Sequence, residues 1–367
     1  MKRIACALFF FTLLLYNGNA SASALSAVVV EAESGRVLYA SNADAQLPMA
    51  STTKIMTALV VLENCALQEV VTVSSNAFGV PGTSVYLEAG EKLTVEQLLY
   101  GLMLASGNDA AVALAEHVSG SVDAFCGLMN ARAAEIGCEH THFVTPHGLP
   151  AAQHYTTAYE LALIAREAMK SDDFRTIVST QRATIPWESR GYDRILNNKN
   201  RLLSRFDGAL GIKTGYTKAA GRCLVSAAER NGMTLIGVVL NCPDWFDVSA
   251  QLLDDAYAHY EMKRAFSAGD VIASIDVENG TQKQVLAVAQ SDVCIPMRKD
   301  EEPNVVITLP KSLPAGFRAG DIIGVIELLL DNETLCSVPI VTQSAVAERT
   351  FLTKLNRTMA DWLLISN

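Results

Sequence analysis

The chain of 367 residues has no surplus of positive charge. Its 29 Lys and Arg stand against 39 Asp and Glu, a formal net charge of −10 with a pI near 5.2. Such a balance argues against a nucleic-acid polyanion as the main ligand. No C-x-x-C pair occurs among the 8 cysteines, so neither a zinc knuckle nor a thioredoxin-type motif is present. There is also no H-E-x-x-H pair and no phosphate-binding glycine loop, the usual signs of zinc hydrolases and nucleotide enzymes. His140, His142, His147 and His154 cluster without metal-ligand spacing and read as loop histidines in ordinary hydrogen bonds. The pattern calls for no metal and no cofactor. Low-complexity tracts and internal repeats are missing too, which excludes solenoids and disordered linkers. The longest greasy run, Ile4 to Tyr16, is short for a bilayer span.

What is present is a globular composition, 50% hydrophobic and 19% charged, at a length that suits two domains. Lys2-Arg3, the greasy run and a small-residue stretch from Asn17 to Ala24 form a secretory signal peptide, with cleavage expected after Ala22 or Ala24. The protein is therefore expected to be exported and to work at the outer face of the membrane or in the wall. Seven cysteines remain after cleavage: Cys65, Cys126, Cys138, Cys223, Cys242, Cys294 and Cys336. Cys65, Cys126 and Cys223 lie in apolar neighbourhoods and read as small buried hydrophobes.

Ser26 to Val30 and Val37 to Ala40 read as strands about a Ser34-Gly35 turn. Helices are expected from Ile55 onward, after Thr94 with Gln97 as a capping box, from Asn108, over Val122 to Ile136 with Gly137 as a left-handed cap, and from Thr157 to about Met169 with another capping box. Strands return at Leu210 to Tyr216, Cys223 to Ala228 and Leu235 to Leu240, the last two joined by a hairpin over Glu229 to Gly232. A helix is expected over Val248 to Tyr260. Helices clustered against hairpin-linked strands indicate an α+β fold with an antiparallel sheet. After Lys263 short β runs separated by Gly, Pro, Asn and Asp read as a small, sandwich-like all-β domain. From Val346 to Ile365, Phe351, Leu352, Leu355, Met359, Trp362 and Leu363 fall at helical spacing opposite Arg349, Lys354 and Arg357. That stretch suits an amphipathic helix lying on a membrane surface or docked on the β-domain. The expected organisation is thus a signal peptide over 1–24, a catalytic domain over 25–263, the β-domain over 264–343 and the amphipathic helix over 344–367.

The chemistry-bearing stretch is Pro48 to Met56. Ser51 and Lys54 are three apart, so they share a helix face. Ile55 to Leu62 is apolar on every side, which places that helix inside a domain. A hydroxyl and an amine then sit at the N-terminal turn of a buried helix, where free N–H groups favour developing negative charge. A serine three residues before a lysine is common by chance. Two further motifs change the odds: Ser106-Gly107-Asn108 and Lys213-Thr214-Gly215, in that order. The set S-x-x-K, S-x-N and K-T-G belongs to penicillin-interacting serine enzymes. Ser74-Ser75-Asn76 also fits the middle motif, but Ser106 stands at a break between two apolar helices, where side chains can face a cleft. Asp109 reads as a helix N-terminal charge rather than an acid catalyst.

On these motifs, with Gly211-Ile212-Lys213-Thr214-Gly215-Tyr216-Thr217, Ala220-Gly221-Arg222 and Pro146-His147-Gly148-Leu149 around them, the chain resembles the serine-type D-alanyl-D-alanine carboxypeptidases, low-molecular-mass penicillin-binding proteins of the peptidase S11 family. The resemblance covers the whole chain. It implies a transpeptidase-like catalytic domain with a helical subdomain on an antiparallel sheet. It implies removal of the terminal D-alanine from peptidoglycan stem peptides through an acyl-enzyme on Ser51, with β-lactams as covalent inhibitors. By the same resemblance Lys54 is the base and Ser106 relays a proton to the leaving amine. Asn108 holds the substrate amide, Lys213, Thr214 and Gly215 bind the substrate end, and the backbone N–H groups of Ser51 and Tyr216 meet the oxyanion. Many members carry an arginine shortly after the strand that follows the K-T-G hairpin; Leu240 to Asp247 contains none here.

Lys54 acts as a base only when neutral. With an ordinary lysine pKa of about 10.4, roughly one amine in a few thousand is neutral at pH 7. Burial and a neighbouring cation, for which Lys213 is the candidate, lower that value by up to ~3–5 units. A D,D-endopeptidase uses the same machinery. A β-lactamase normally needs a deacylating glutamate in an E-x-x-L-N context, and no such string exists here. A non-catalytic wall-binding protein would be expected to have a broken motif, and all three are intact.

Overall fold

The computed structural model describes residues 24–349. Apart from Ala24, the expected signal peptide lies outside the described residues, and so does the amphipathic stretch beyond Arg349.

The chain opens with the antiparallel pair β1 (Ser26–Glu31) and β2 (Val37–Ser41). The Glu31 carboxylate gathers the N–H groups of Glu33 and Ser34 and the Ser34 hydroxyl, which closes the turn between them. A 3-10 turn over Ala50–Thr53 leads into α1 (Lys54–Asn64), buried from Lys54 to Val61. A short ribbon of β3 (Val70–Thr72) and β4 (Lys92–Thr94) precedes α2 (Val95–Met103), whose capping box between Thr94 and Gln97 is complete. Then come α3 (Asn108–Ser119) and α4 (Val122–Ile136), the latter closed by Gly137 at φ +93°.

In α5 (Ala158–Ala168), Thr157 caps the Glu160 N–H, but the Glu160 carboxylate turns to the His140 N–H and the Thr141 hydroxyl instead of back to the cap. The expected capping box is therefore only half made, because a neighbouring loop competes for its carboxylate. Next are α6 (Asp172–Ser179) and a ribbon of β5 (Arg182–Ile185) and β6 (Arg194–Asn197). The domain closes with β7 (Ala209–Thr217), β8 (Gly221–Arg230), β9 (Met233–Leu240) and α7 (Trp245–His259). Asn231 and Gly232, both at positive φ, form the two-residue turn between β8 and β9. The last helix starts three residues before the expected Val248, at Trp245.

The five-stranded sheet has the order β2-β1-β9-β8-β7, antiparallel throughout. Val28 and Val30 face the helical core, while Ala27 and Val29 face the layer under α7. A strand covered on both faces reads as a continuous apolar run, as β1 does. α1 lies inside the helical layer against α2, α3, α4, α5 and α6. β7 is the edge strand opposite β2, and the 3-10 turn packs against it.

The C-terminal all-β domain begins with β10 (Glu261–Phe266), which pairs with β13 (Val293–Met297). A boundary after residue 263 would cut that strand. β11 (Val271–Glu278), β12 (Gln284–Ala289), β14 (Asn304–Thr308), β15 (Ser312–Pro314), β16 (Ile322–Leu330) and β17 (Glu333–Thr342) form one sheet, ordered β14-β16-β17-β12-β11-β15. Residues 346–349 correct the expectation of a helix starting at Val346. They run extended along this domain, with Val346 buried in its core and bridged to Phe317, and the Arg349 N–H on the Asn279 carbonyl. Arg36 joins the two domains through both guanidinium ends to Glu301, at 2.6 and 2.9 Å. Among the described residues no helix is long and apolar enough to cross a membrane. No disulfide forms among them either: Cys126, Cys138, Cys223 and Cys242 are buried, and Cys65 is half-buried rather than fully enclosed.

Candidate active site

Ser51 sits in the 3-10 turn, directly after Ala50 at φ +50°. The Pro146-His147-Gly148-Leu149 segment holds this turn. The Pro146 carbonyl accepts from Thr57 Oγ1, and a Cβ on Gly148 would fall 1.8 Å from the Ala50 oxygen. Glycine is required there for space as well as for its φ of +85°. His154 Nε2 meets Thr53 Oγ1 at 2.8 Å, and its Nδ1 accepts the Val144 N–H. These two histidines are thus structural, and burial pushes the pKa of each down to about 4.

Lys54 is fully buried. Its Nζ lies 3.2 Å from Ser51 Oγ, 2.7 Å from Asn108 Oδ1 and 2.8 Å from the His147 carbonyl oxygen. The two oxygens of Asn108 and His147 can only accept. A neutral amine has two N–H donors and one lone pair, so these oxygens take both donors and the lone pair is left facing the Ser51 hydroxyl. Burial holds the Lys54 pKa well below the ordinary lysine value, the charges of Lys213 and Lys199 push it the same way, and Asp109 opposes them.

Ser106 joins α2 to α3 at φ +66° and is nearly buried. Asn108 begins α3, with its N–H on the Thr83 carbonyl and its Nδ2 on the Pro81 carbonyl at 2.6 Å. Both ends of its amide are thus engaged with protein. The fully buried Asp109 carboxylate binds the Val85 and Leu87 N–H groups and the Ser84 hydroxyl, so it fixes the loop beside the motif. Ser74 is tied to Glu116 near the other end of α3, with Asn76 on the same carboxylate.

β7 brings the third motif. Lys213 is buried, its Nζ 3.1 Å from the Thr214 carbonyl oxygen, and burial followed by the charge of Lys199 pushes its pKa down to about 7. Gly215 lies so close to the nucleophile turn that a Cβ would be 2.9 Å from the Ser51 nitrogen. Tyr216 has an exposed side chain and pairs across the hairpin with Arg222.

The three motifs border one cleft of about 530 Å³, with Ser51, Ser106, Thr214, Gly215 and Tyr216 on its wall. Thr83, Asn198, Lys199, Arg201, Arg222, Trp245 and Phe246 complete the lining, and no carboxylate is among them. Sequence reasoning did not assign these seven to the site. They come from loops, a strand end and helix starts without a local signature, although Arg222 belongs to the Ala220-Gly221-Arg222 segment and Trp245 and Phe246 to the stretch from Leu240 to Asp247. Apart from the site, the ligand atoms of Cys65, Glu69 and His117 lie within 4.8 Å of one another, and Glu69 and His117 are already paired. None of the four clustered loop histidines belongs to that group.

Comparison with known proteins agrees with this geometry. Residues 16–244 match the Peptidase S11 family, described as D-alanyl-D-alanine carboxypeptidase, and residues 260–348 match the C-terminal domain of penicillin-binding protein 5. The chain is 34% identical over 350 residues to D-alanyl-D-alanine carboxypeptidase DacF of Bacillus subtilis, which covers 92% of this chain and 90% of that one. Identity is 43% over 222 residues to the D-alanyl-D-alanine carboxypeptidase of Streptomyces sp. strain K15, covering 56% and 76%. Among solved structures, penicillin-binding protein 5 from Haemophilus influenzae superposes with a TM-score of 0.77 at 30% identity, over 90% of this chain and 99% of that one. A serine open to the cleft and paired with a buried lysine under a K-T-G edge strand, continued by the matching β-domain, places the chain in the S11 family of serine-type D-alanyl-D-alanine carboxypeptidases.

Proposed function

We propose that the protein is an exported D,D-carboxypeptidase that removes the terminal D-alanine of peptidoglycan stem peptides through an ester on Ser51. The observation that carries this reading is the Lys54 amine, with two acceptor-only oxygens and one hydroxyl as its partners. Lys54 takes the Ser51 proton as Oγ attacks the penultimate carbonyl. The amide N–H groups of Ser51 and Tyr216 hold the oxyanion, each such donor contributing about 2.7–4 kcal/mol in the transition state. Ser106 passes the proton from Lys54 to the departing amine, the C–N bond breaks, and D-alanine leaves. Water then hydrolyses the ester and restores the serine. Asn108 orients Lys54 through Oδ1; for it to hold the substrate amide, Nδ2 must exchange the Pro81 carbonyl for substrate. Thr214 and Gly215 line the position of the substrate's end, with the buried Lys213 cation behind them.

A β-lactam offers Ser51 a strained amide by the same route. With no carboxylate on the cleft wall to activate water, hydrolysis of the adduct is slow. Mass spectrometry after mixing with penicillin is expected to find one adduct per chain, persisting for minutes, on the peptide bearing Ser51. Rapid turnover with no trapped adduct would favour a β-lactamase, and modification of Ser74 or Ser106 would displace the nucleophile. Release of D-alanine from a D-alanyl-D-alanine peptide separates carboxypeptidase from endopeptidase action. The amphipathic stretch after Arg349 is the proposed membrane contact. Truncation there is expected to move the protein from the membrane to the soluble fraction, and retention in the membrane fraction would exclude it.

A further inference from the structure

The wall of the cleft carries three cations, Lys199, Arg201 and Arg222, and no acid, so its ligand is anionic near this rim. Of the three, Arg222 is placed by the sheet itself. On β8 it stands opposite Tyr216, while Leu224 stands opposite Thr214. Alternation along a strand then puts Thr214, Tyr216 and Arg222 on the same face. Thr214 and Arg222 are diagonal neighbours, a spacing of about 7–8 Å that a long side chain spans. The guanidinium is also held in place. Nη1 donates to the Pro243 carbonyl at 2.7 Å, and the group lies 6.0 Å from the Trp245 ring centroid. Nε and Nη2 have no hydrogen-bond partner among the described residues. Lys213, by contrast, is buried and turned onto the Thr214 carbonyl.

We propose that Arg222 is the specificity-determining contact for the terminal carboxylate of the substrate, which it binds together with the Thr214 hydroxyl. A planar guanidinium with one edge pinned and the other open suits a carboxylate, which it meets with charge-assisted hydrogen bonds. The identity of this anion as a peptide C-terminus rests on the carboxypeptidase reading above.

The test compares a D-alanyl-D-alanine peptide as free acid and as C-terminal amide, with the wild type, Arg222→Gln and Arg222→Lys. The wild type is expected to prefer the acid. Arg222→Gln is expected to lower kcat/KM for the acid about 10- to 100-fold and to bring the acid-to-amide ratio towards unity. Arg222→Lys is expected to restore part of the ratio, because charge returns without the fork. Arg222 is exposed, so the thermal midpoint of both variants should stay near that of the wild type. An unchanged ratio in Arg222→Gln overturns the assignment and leaves Lys213, Lys199 or Arg201 as the anion contact. A second pair, penicillin G and its carboxylate methyl ester, is read by acylation of Ser51. If the wild type releases no D-alanine, the carboxypeptidase reading fails, and this pair still decides the role of Arg222. Loss of the acid preference in Arg222→Gln supports the assignment, and its retention overturns it.

Discussion

At the scale of single residues the site depends on two buried lysines that cannot both hold a proton cheaply. Burial first, then the charge of the other cations, lowers Lys54, and burial brings Lys213 to about 7. Their proposed tasks need opposite states: Lys54 as the free amine, Lys213 as the cation facing the substrate end. kcat/KM reports the free enzyme. It is therefore expected to rise with pH as Lys54 loses its proton and to fall above about pH 7 as Lys213 loses its own. A bound carboxylate favours the Lys213 cation, so the alkaline limb of kcat should lie at higher pH than that of kcat/KM. A stopped-flow and steady-state pH series on the free-acid peptide checks this. A kcat/KM that keeps climbing into the alkaline range would remove the Lys213 cation from substrate binding.

At the scale of elements, catalysis depends on how closely an edge strand lies against a helix start. The site of an added Cβ at Gly215 is 2.9 Å from the Ser51 nitrogen, 3.1 Å from the Met49 oxygen and 3.1 Å from the Thr52 nitrogen. All three are backbone atoms, so no side chain can swing aside to make room. Gly215→Ala must push β7 and the nucleophile turn apart. It is expected to slow acylation by penicillin about 100-fold, the cost of a misplacement near 1 Å. The loss of folding stability should be limited to about 1–3 kcal/mol. Acylation within a few-fold of the wild type would mean that the turn and strand are not in fixed register. The sequence anticipated β7 and the turn as separate elements but not their contact. It also passed over α6, whose eight residues, Asp172–Ser179, are too few and too polar to stand out, and it read the α7 start late because the turn residues Pro243 and Asp244 run directly into the helix.

At the scale of the whole molecule, Arg36 on the β1–β2 turn reaches into the β-domain. It meets both Glu301 carboxylate oxygens, with side chains only 10% and 16% exposed, and it also donates to the Pro296 carbonyl. Arg298 adds a bond from Nε to the Tyr260 hydroxyl at 3.0 Å. Removing one partner of a largely buried pair leaves the other charge uncompensated. Glu301→Ala is expected to cost about 1–3 kcal/mol in urea unfolding, less than a fully buried pair because water reaches part of it. The Ser51 acylation rate should be unchanged, since Glu301 does not line the cleft. Loss of acylation in a folded Glu301→Ala protein would instead make the domain junction part of the catalytic machinery.

What the sequence determined by itself was local. Ser51 and Lys54 share a helix face because three residues make nearly one turn, and the run from Ile55 to Leu62 required that turn to be buried. The break at Ser106-Gly107 and the hairpin signs around Lys213 and Gly232 were likewise carried by neighbours in the chain. The residues that tertiary structure added are those whose partners are remote. Asn108 and His147 select the direction of the Lys54 proton, yet each is more than fifty positions from it. Arg222 enters the cleft because antiparallel register sets it opposite Tyr216, and Trp245 because α7 begins a short turn after the end of β9. Val346 stays extended although its neighbours follow a helical period, since it fills the β-domain core. Periodicity records which face of an element is apolar, whereas the register between elements is decided by packing and hydrogen bonding across the fold, and that is where the cleft acquired its cations.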